Sequence, residues 1–173
     1  MYYGNLESFT IKKKKGIEVR KKLIAGNWKM NKTLGESVEL VEGILGKIRE
    51  YDDRDVLFCP PFTSLYKVSQ LIKGKNVKLG GQNLYFEEKG AYTGEISAKM
   101  LKSVGCECVI LGHSERRNVF GEADELIRKK VIRAKEEGLI SLQHLQKFNE
   151  YWEEEEGTTT KPGKTRTSGG FEY

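Results

Sequence analysis

The chain has 173 residues, 38% of them hydrophobic, and a formal net charge of +5 from 30 basic and 25 acidic side chains. That length supports one core and leaves two full domains cramped, and the basic residues are interspersed with acidic ones apart from Lys12–Lys15, which reads as a solvated arm rather than a nucleic-acid surface. No stretch approaches the roughly 18 consecutive apolar residues of a membrane span, and the start "MYYGNLESFTIKKKK" has no apolar leader core, so the expectation is a soluble cytoplasmic protein with no membrane partner. Three cysteines without a CxxC argue against a disulfide framework or a zinc site, and Cys106 and Cys108 are expected to face opposite sides, unable to chelate one ion together.

In chain order, the first apolar run is "KLIAG" at 22–26. After Thr33, Val38, Val41, Ile44, Leu45 and Ile48 recur at threes and fours, which predicts an amphipathic helix. "VLFCP" at 56–60 follows, and then a helix carrying Leu65, Val68, Leu71 and Ile72, with Thr63 or Ser64 as its cap. "VKLGG" at 77–81 precedes a third helix with Ile96, Met100, Leu101 and Val104. "CVILG" at 108–112 precedes a fourth, with Leu126, Ile127, Val131, Ile132 and Ala134, closed by Gly138. Short apolar runs without strict alternation suit strands covered on both faces, and their repeated alternation with helices predicts a parallel βα array.

Such an array closes into a barrel or stays open, and periodicity does not choose. In both cases ligands meet the carboxyl ends of the strands. The polar residues there are Asn27 and Lys29, Gln82 and Asn83, and His113, Ser114 and Glu115. No GxGxxG follows a strand, which weighs against a dinucleotide-binding sheet. Lys29 is suited to a phosphate or a developing oxyanion, Asn27 is a neutral donor, and a neutral His113 can donate to a carbonyl oxygen. Each also has an ordinary reading, Lys29 as a surface cation and His113 as a structural histidine.

The stretches "AGNWKMNKT" (25–33), "CPPFTSL" (59–65), "GGQN" (80–83), "GAYTGEIS" (90–97) and "VILGHSERR" (109–117) together resemble the triosephosphate isomerase family, in that order and at its spacings. The resemblance covers about residues 21–140. It implies a TIM (β/α)8-barrel of which about the first four βα units are present. It also implies interconversion of dihydroxyacetone phosphate and D-glyceraldehyde 3-phosphate through an enediolate, in glycolysis and gluconeogenesis, with no cofactor and no metal. A neutral histidine electrophile paired with a glutamate base is a known property of that family, so this pairing comes from the resemblance and not from spacing.

Carried over by position, Lys29 is the substrate-binding and charge-offsetting lysine, Asn27 helps hold the oxyanion, and His113 is the electrophile. Ser114 and Glu115 match its supporting neighbours, the glutamate pairing with the active-site lysine; Lys29 as no more than a salt-bridge partner of Glu115 stays open. In the family the A-Y-T-G-E loop reaches into a second subunit. Thr93 is therefore expected near the partner's site, with Glu95 and Arg116 pairing across the interface of a homodimer.

After "GLI" at 138–140 the resemblance ends: Ser141 stands where a proline is usual, and residues 141–173 read as a divergent, flexible tail. "GTTTKPGKT" (157–165) is not a phosphate loop, because five residues separate Gly157 from Gly163 and no strand precedes it. Residues 1–20 precede the first strand as an extension or linker. The family's base follows its sixth strand, and its phosphate-binding amides follow the seventh and eighth, all beyond the resemblance. Two readings result: a triosephosphate isomerase sequence truncated or frame-disrupted near residue 140 and inactive alone, or a noncatalytic half-barrel that binds a partner. The intact site motifs up to an abrupt break favour the first.

Overall fold

The computed structural model describes residues 22–48 and 54–143. The elements are β1 (Lys22–Asn27), α1 (Leu34–Leu45), β2 (Arg54–Cys59), α2 (Phe62–Leu71), β3 (Lys78–Gly81), α3 (Ala98–Ser103), β4 (Cys108–Leu111), α4 (Ser114–Asn118), α5 (Asp124–Glu136) and β5 (Ile140–Gln143). All five strands are parallel and lie in the order β1-β2-β3-β4-β5. A strictly sequential order has no point where the strand order reverses, the feature that defines a doubly wound sheet. It is the order of a barrel wall, and this chain forms part of a TIM barrel.

The two faces of the wall carry different cores. Val41, Phe58, Leu65, Val68, Leu79, Leu101, Val109, Leu111, Ile127 and Val131 pack between sheet and helices. Leu57, Cys59, Cys108, Ile110 and Leu142 pack on the inner face. The alternation is visible inside β2, where Leu57 and Cys59 point inward and Phe58 outward. Glycines make this close approach possible. A Cβ on Gly81 would fall 2.8 Å from Leu101 Cδ1, so α3 packs directly on bare β3 backbone.

Helix α1 starts where the sequence places it. The Thr33 hydroxyl accepts from the Glu36 backbone N–H, and a Glu36 carboxylate oxygen accepts from the Thr33 N–H at 2.8 Å, a reciprocal capping box. Thr33→Ala is therefore expected to lower stability by about 1 kcal/mol. A urea midpoint equal to that of the unsubstituted chain would refute it.

Three expectations need correction. Helix α2 begins at Phe62 with Pro61 at its N-cap and no side-chain cap, so neither Thr63 nor Ser64 caps it. Pro60 and Pro61 hold the chain extended up to the helix, and Ser64 turns inward to meet Ser37 of α1, Oγ to Oγ, at 2.9 Å. A fifth strand also exists: residues 141–143, read as the start of a tail, continue β5, which pairs with β4 from Cys108↔Ile140 to Leu111↔Gln143. Cys106 and Cys108 do fall on opposite sides, but strand alternation would put residues two apart on one face. They separate because Cys106 precedes β4 and packs with the helices, whereas Cys108 lies on the inner face. The proposed extension at 1–20 and the tail beyond 143 lie outside the described residues.

Candidate active site

The carboxyl ends of β1 and β4 bring together residues 86 apart in sequence. Lys29 Nζ donates to Glu115 Oε1 at 2.5 Å. Lys29 itself has φ +54, a left-handed backbone that costs a non-glycine residue about 1–2 kcal/mol. The neighbouring side chains hold that geometry. Asn27 Oδ1 accepts from the Lys29 N–H at 3.0 Å, Asn31 donates to the Trp28 carbonyl at 2.8 Å, and the Trp28 N–H reaches the Cys59 carbonyl at 3.1 Å. With its oxygen turned to the backbone, Asn27 keeps its NH2 as the donor end. The Glu115 carboxyl is held below its ordinary value, chiefly by the hydrogen bond from Lys29. It is a carboxylate that orients a lysine, not one poised to take a proton.

His113 follows β4 through Gly112, whose φ is +64 and whose added Cβ would sit 3.1 Å from Ile127 Cγ2. The backbone there requires glycine. The His113 side chain is 13% exposed, and its Nδ1 accepts from the Glu115 backbone N–H at 3.2 Å. A ring nitrogen that accepts from an N–H carries no proton, so in the neutral ring Nε2 carries it. The Glu115 carboxylate also approaches Nδ1, at 3.5 Å, but that distance is at the limit of a hydrogen bond and the carboxylate is engaged by Lys29. The backbone contact therefore sets the tautomer: a neutral imidazole presenting Nε2–H as donor. Ser114 is exposed as the first residue of α4.

Four expected site residues are thus joined by contacts: Asn27, Lys29, His113 and Glu115. Thr93 and Glu95 lie instead on the exposed loop between β3 and α3. Arg116 turns the other way from Lys29's partner. Its Nε and Nη2 both donate to Glu122 Oε1, at 2.9 and 2.7 Å, and its guanidinium stacks on the Phe120 ring at 4.7 Å.

That ion pair belongs to a network absent from the sequence reading. Lys130 Nζ, on a side chain 2% exposed, donates to Glu122 Oε1 at 2.5 Å and to Asn83 Oδ1 at 3.0 Å. Burial alone raises the Glu122 carboxyl, but hydrogen bonds from Arg116 and Lys130 outweigh it and hold the group below the ordinary carboxylate value. The signal was present in sequence: Lys130 sits on the apolar stripe with Ile127, Val131 and Ala134, where a cation must find an anion. Gln82 donates to the Cys59 carbonyl at 2.8 Å and ties the end of β3 to that of β2, whereas Asn83 accepts from Lys130 of α5.

The profile of the triosephosphate isomerase family matches residues 22–161. The triosephosphate isomerase of Aquifex aeolicus is 53% identical over 119 residues, covering 69% of this chain and 48% of that protein. That of Dictyoglomus thermophilum is 46% identical over 143 residues, covering 83% and 56%. That of a Roseiflexus species is 57% identical over 113 residues, covering 65% and 44%. The chain spans about half the length of the curated relatives it matches. With a family match over most of its length, on a sequentially ordered parallel barrel wall, the chain belongs to the triosephosphate isomerase family.

Proposed function

We propose that this chain carries the electrophilic half of a triosephosphate isomerase site, acting on dihydroxyacetone phosphate and D-glyceraldehyde 3-phosphate. The observation that carries the reading is the hydrogen bond from the Glu115 N–H to His113 Nδ1, which leaves Nε2 as the donor nitrogen of the neutral ring. In that role Nε2–H polarises the substrate carbonyl, the Asn27 NH2 supports the same developing oxyanion, and the Lys29 ammonium offsets the charge of enediolate and phosphate. Glu115 fixes Lys29 in place. The base that moves the carbon-bound proton is, in the family, a glutamate after the sixth strand; the described strands end with β5. The reading also carries a homodimer, with Thr93, Glu95 and Arg116 at its interface, and a cytoplasmic place in glycolysis and gluconeogenesis. Among the described residues no helix is long and apolar enough to cross a membrane.

Infrared spectroscopy of carbonyl-labelled dihydroxyacetone phosphate with the chain in excess tests the donor. The carbonyl band is expected to shift to lower frequency, and His113→Gln is expected to remove the shift while leaving binding in place. Lys29→Met is expected to weaken binding by about 10- to 100-fold, the value of about 1.5–3 kcal/mol for a hydrogen bond to a charged group. An unshifted band, or the same shift in the His113→Gln variant, would overturn the assignment.

A further inference from the structure

Arg117 has no part in the site described above, yet it holds the backbone on which His113 stands. Gly112 is buried and follows Leu111↔Gln143, the last pair of the β4/β5 ladder, so its carbonyl needs a donor from beyond the strand. Arg117, five residues on, supplies it: Nε donates to the Gly112 carbonyl at 3.0 Å. The Arg117 backbone N–H donates to the next carbonyl, that of His113, at 3.1 Å. One residue thus holds both peptide units that flank His113, whose backbone sits at φ −56 and ψ 143.

The other end of the guanidinium is anchored on a long helix. Arg117 Nη1 donates to Asp124 Oδ1, on the first residue of α5. The same helix packs against Gly112 one turn later, where Ile127, 1% exposed, would lie 3.1 Å from an added Cβ. Arg117 Nη2 lies 3.3 Å from that Cβ position. We propose that Arg117 is the positioning residue for His113, clamping the loop between Gly112 and α5 so that the Glu115 N–H meets Nδ1 and Nε2 stays the donor nitrogen.

The inference rests on the electrophile reading of His113 and deepens it. Gly112, at φ +64, is the most freely rotating kind of residue, placed directly before the imidazole. The bond from the Glu115 N–H to Nδ1 is 3.2 Å, long for a neutral pair, and does not hold the loop by itself. Hydrogen bonds from a guanidinium are charge-assisted and roughly twice as strong as neutral ones. The fork also matters. Nε and Nη1 project from one rigid plane and reach the Gly112 carbonyl and Asp124 together, whereas a lysine carries its donors on a single nitrogen at the end of a flexible stem.

Nitrogen NMR of the isotope-labelled full chain at about pH 8.5, well above the ordinary histidine value of about 6.5, reads the ring directly. The His113 signals are those lost in His113→Gln, which retains His144. The unsubstituted chain is expected to show one protonated and one bare ring nitrogen. Arg117→Met is expected to draw these two signals together, toward the averaged position of a freely exchanging imidazole, and Arg117→Lys to move them nearly as far. Arg116→Met removes the neighbouring guanidinium, which binds Glu122, and is expected to leave them in place. Asp124→Ala frees Nη1 alone, is expected to give an intermediate change, and decides the matter where Arg117→Met fails to fold. Signals already averaged in the unsubstituted chain, unmoved by Arg117→Met or Asp124→Ala, fully restored by Arg117→Lys, or moved as far by Arg116→Met would overturn the proposal. The ring is read without substrate, so an unshifted carbonyl band of dihydroxyacetone phosphate beside a clamped ring would count against the electrophile reading and not against the clamp.

Discussion

Glu122→Ala is expected to destabilise the chain by about 3–5 kcal/mol, the cost of leaving a buried charge without its partner. Lys130 would lose the contact to Glu122 Oε1 and keep the one to Asn83 Oδ1 on a side chain that is 2% exposed. Arg116 would lose both of its bonds to the same oxygen, although its half-open side chain recovers water. Since single domains have a total stability of about 5–15 kcal/mol, this change alone approaches loss of the fold. The double variant Glu122→Leu with Lys130→Met removes both charges together and is expected to recover much of the loss. Urea unfolding followed by circular dichroism checks the pair: equal midpoints for the single variant and the unsubstituted chain would show that the network carries no stability.

The same group sets an acid limit. Glu122 titrates below the ordinary carboxylate value in the fold, so its contribution is fully present above that ordinary value and is lost as pH falls through the lowered folded one. Unfolding in acid should therefore begin below about pH 4.5, the unshifted carboxylate value, and the double variant should flatten that part of the profile. Among the described residues the buried Glu122 Oε2 accepts no hydrogen bond.

How far the fold could be read depended on whether a segment's side chains all obeyed one environment. β4, with Cys108 to Leu111 all buried, gives an unbroken apolar run, and the run at 108–112 overshoots it by Gly112 alone. The run at 56–60 starts two residues after β2 does, because β2 starts on the polar Arg54 and Asp55, the latter meeting Lys78 on the neighbouring strand. β5 was missed for the same reason: Ser141 and Gln143 interrupt "ISLQ", and a strand this short has its identity fixed by pairing with β4 rather than by its own pattern. Helix α4 has five residues, too few to show a stripe. At the site, single motifs supplied Asn27, Lys29, His113 and Glu115, yet neither the left-handed turn at Lys29 nor the hydrogen bond that fixes the His113 tautomer has a sequence signature. Both depend on loops from different strands meeting at one end of the wall.

The 173-residue chain is expected to isomerise dihydroxyacetone phosphate no faster than background, with a kcat/KM at least about 10⁴ below that of the Aquifex aeolicus relative assayed beside it. A positioned general base alone is worth about 10² to 10⁴ in rate. The carboxylates available near His113 do not substitute. Glu115 is committed to Lys29 and held ionised below its usual range, which makes it a poor acceptor for a carbon-bound proton. Glu122 is buried among Arg116, Lys130 and Asn83. Without a base among the described residues, polarising the carbonyl raises the acidity of a proton that none of them removes, so His113→Gln should leave the background rate unchanged. Turnover above background that His113→Gln abolishes would show that a base is supplied from within the chain, and would move the search for it to the residues outside 22–143. Turnover insensitive to His113→Gln but lost in Lys29→Met would instead make the lysine, not the imidazole, the group that stabilises the enediolate.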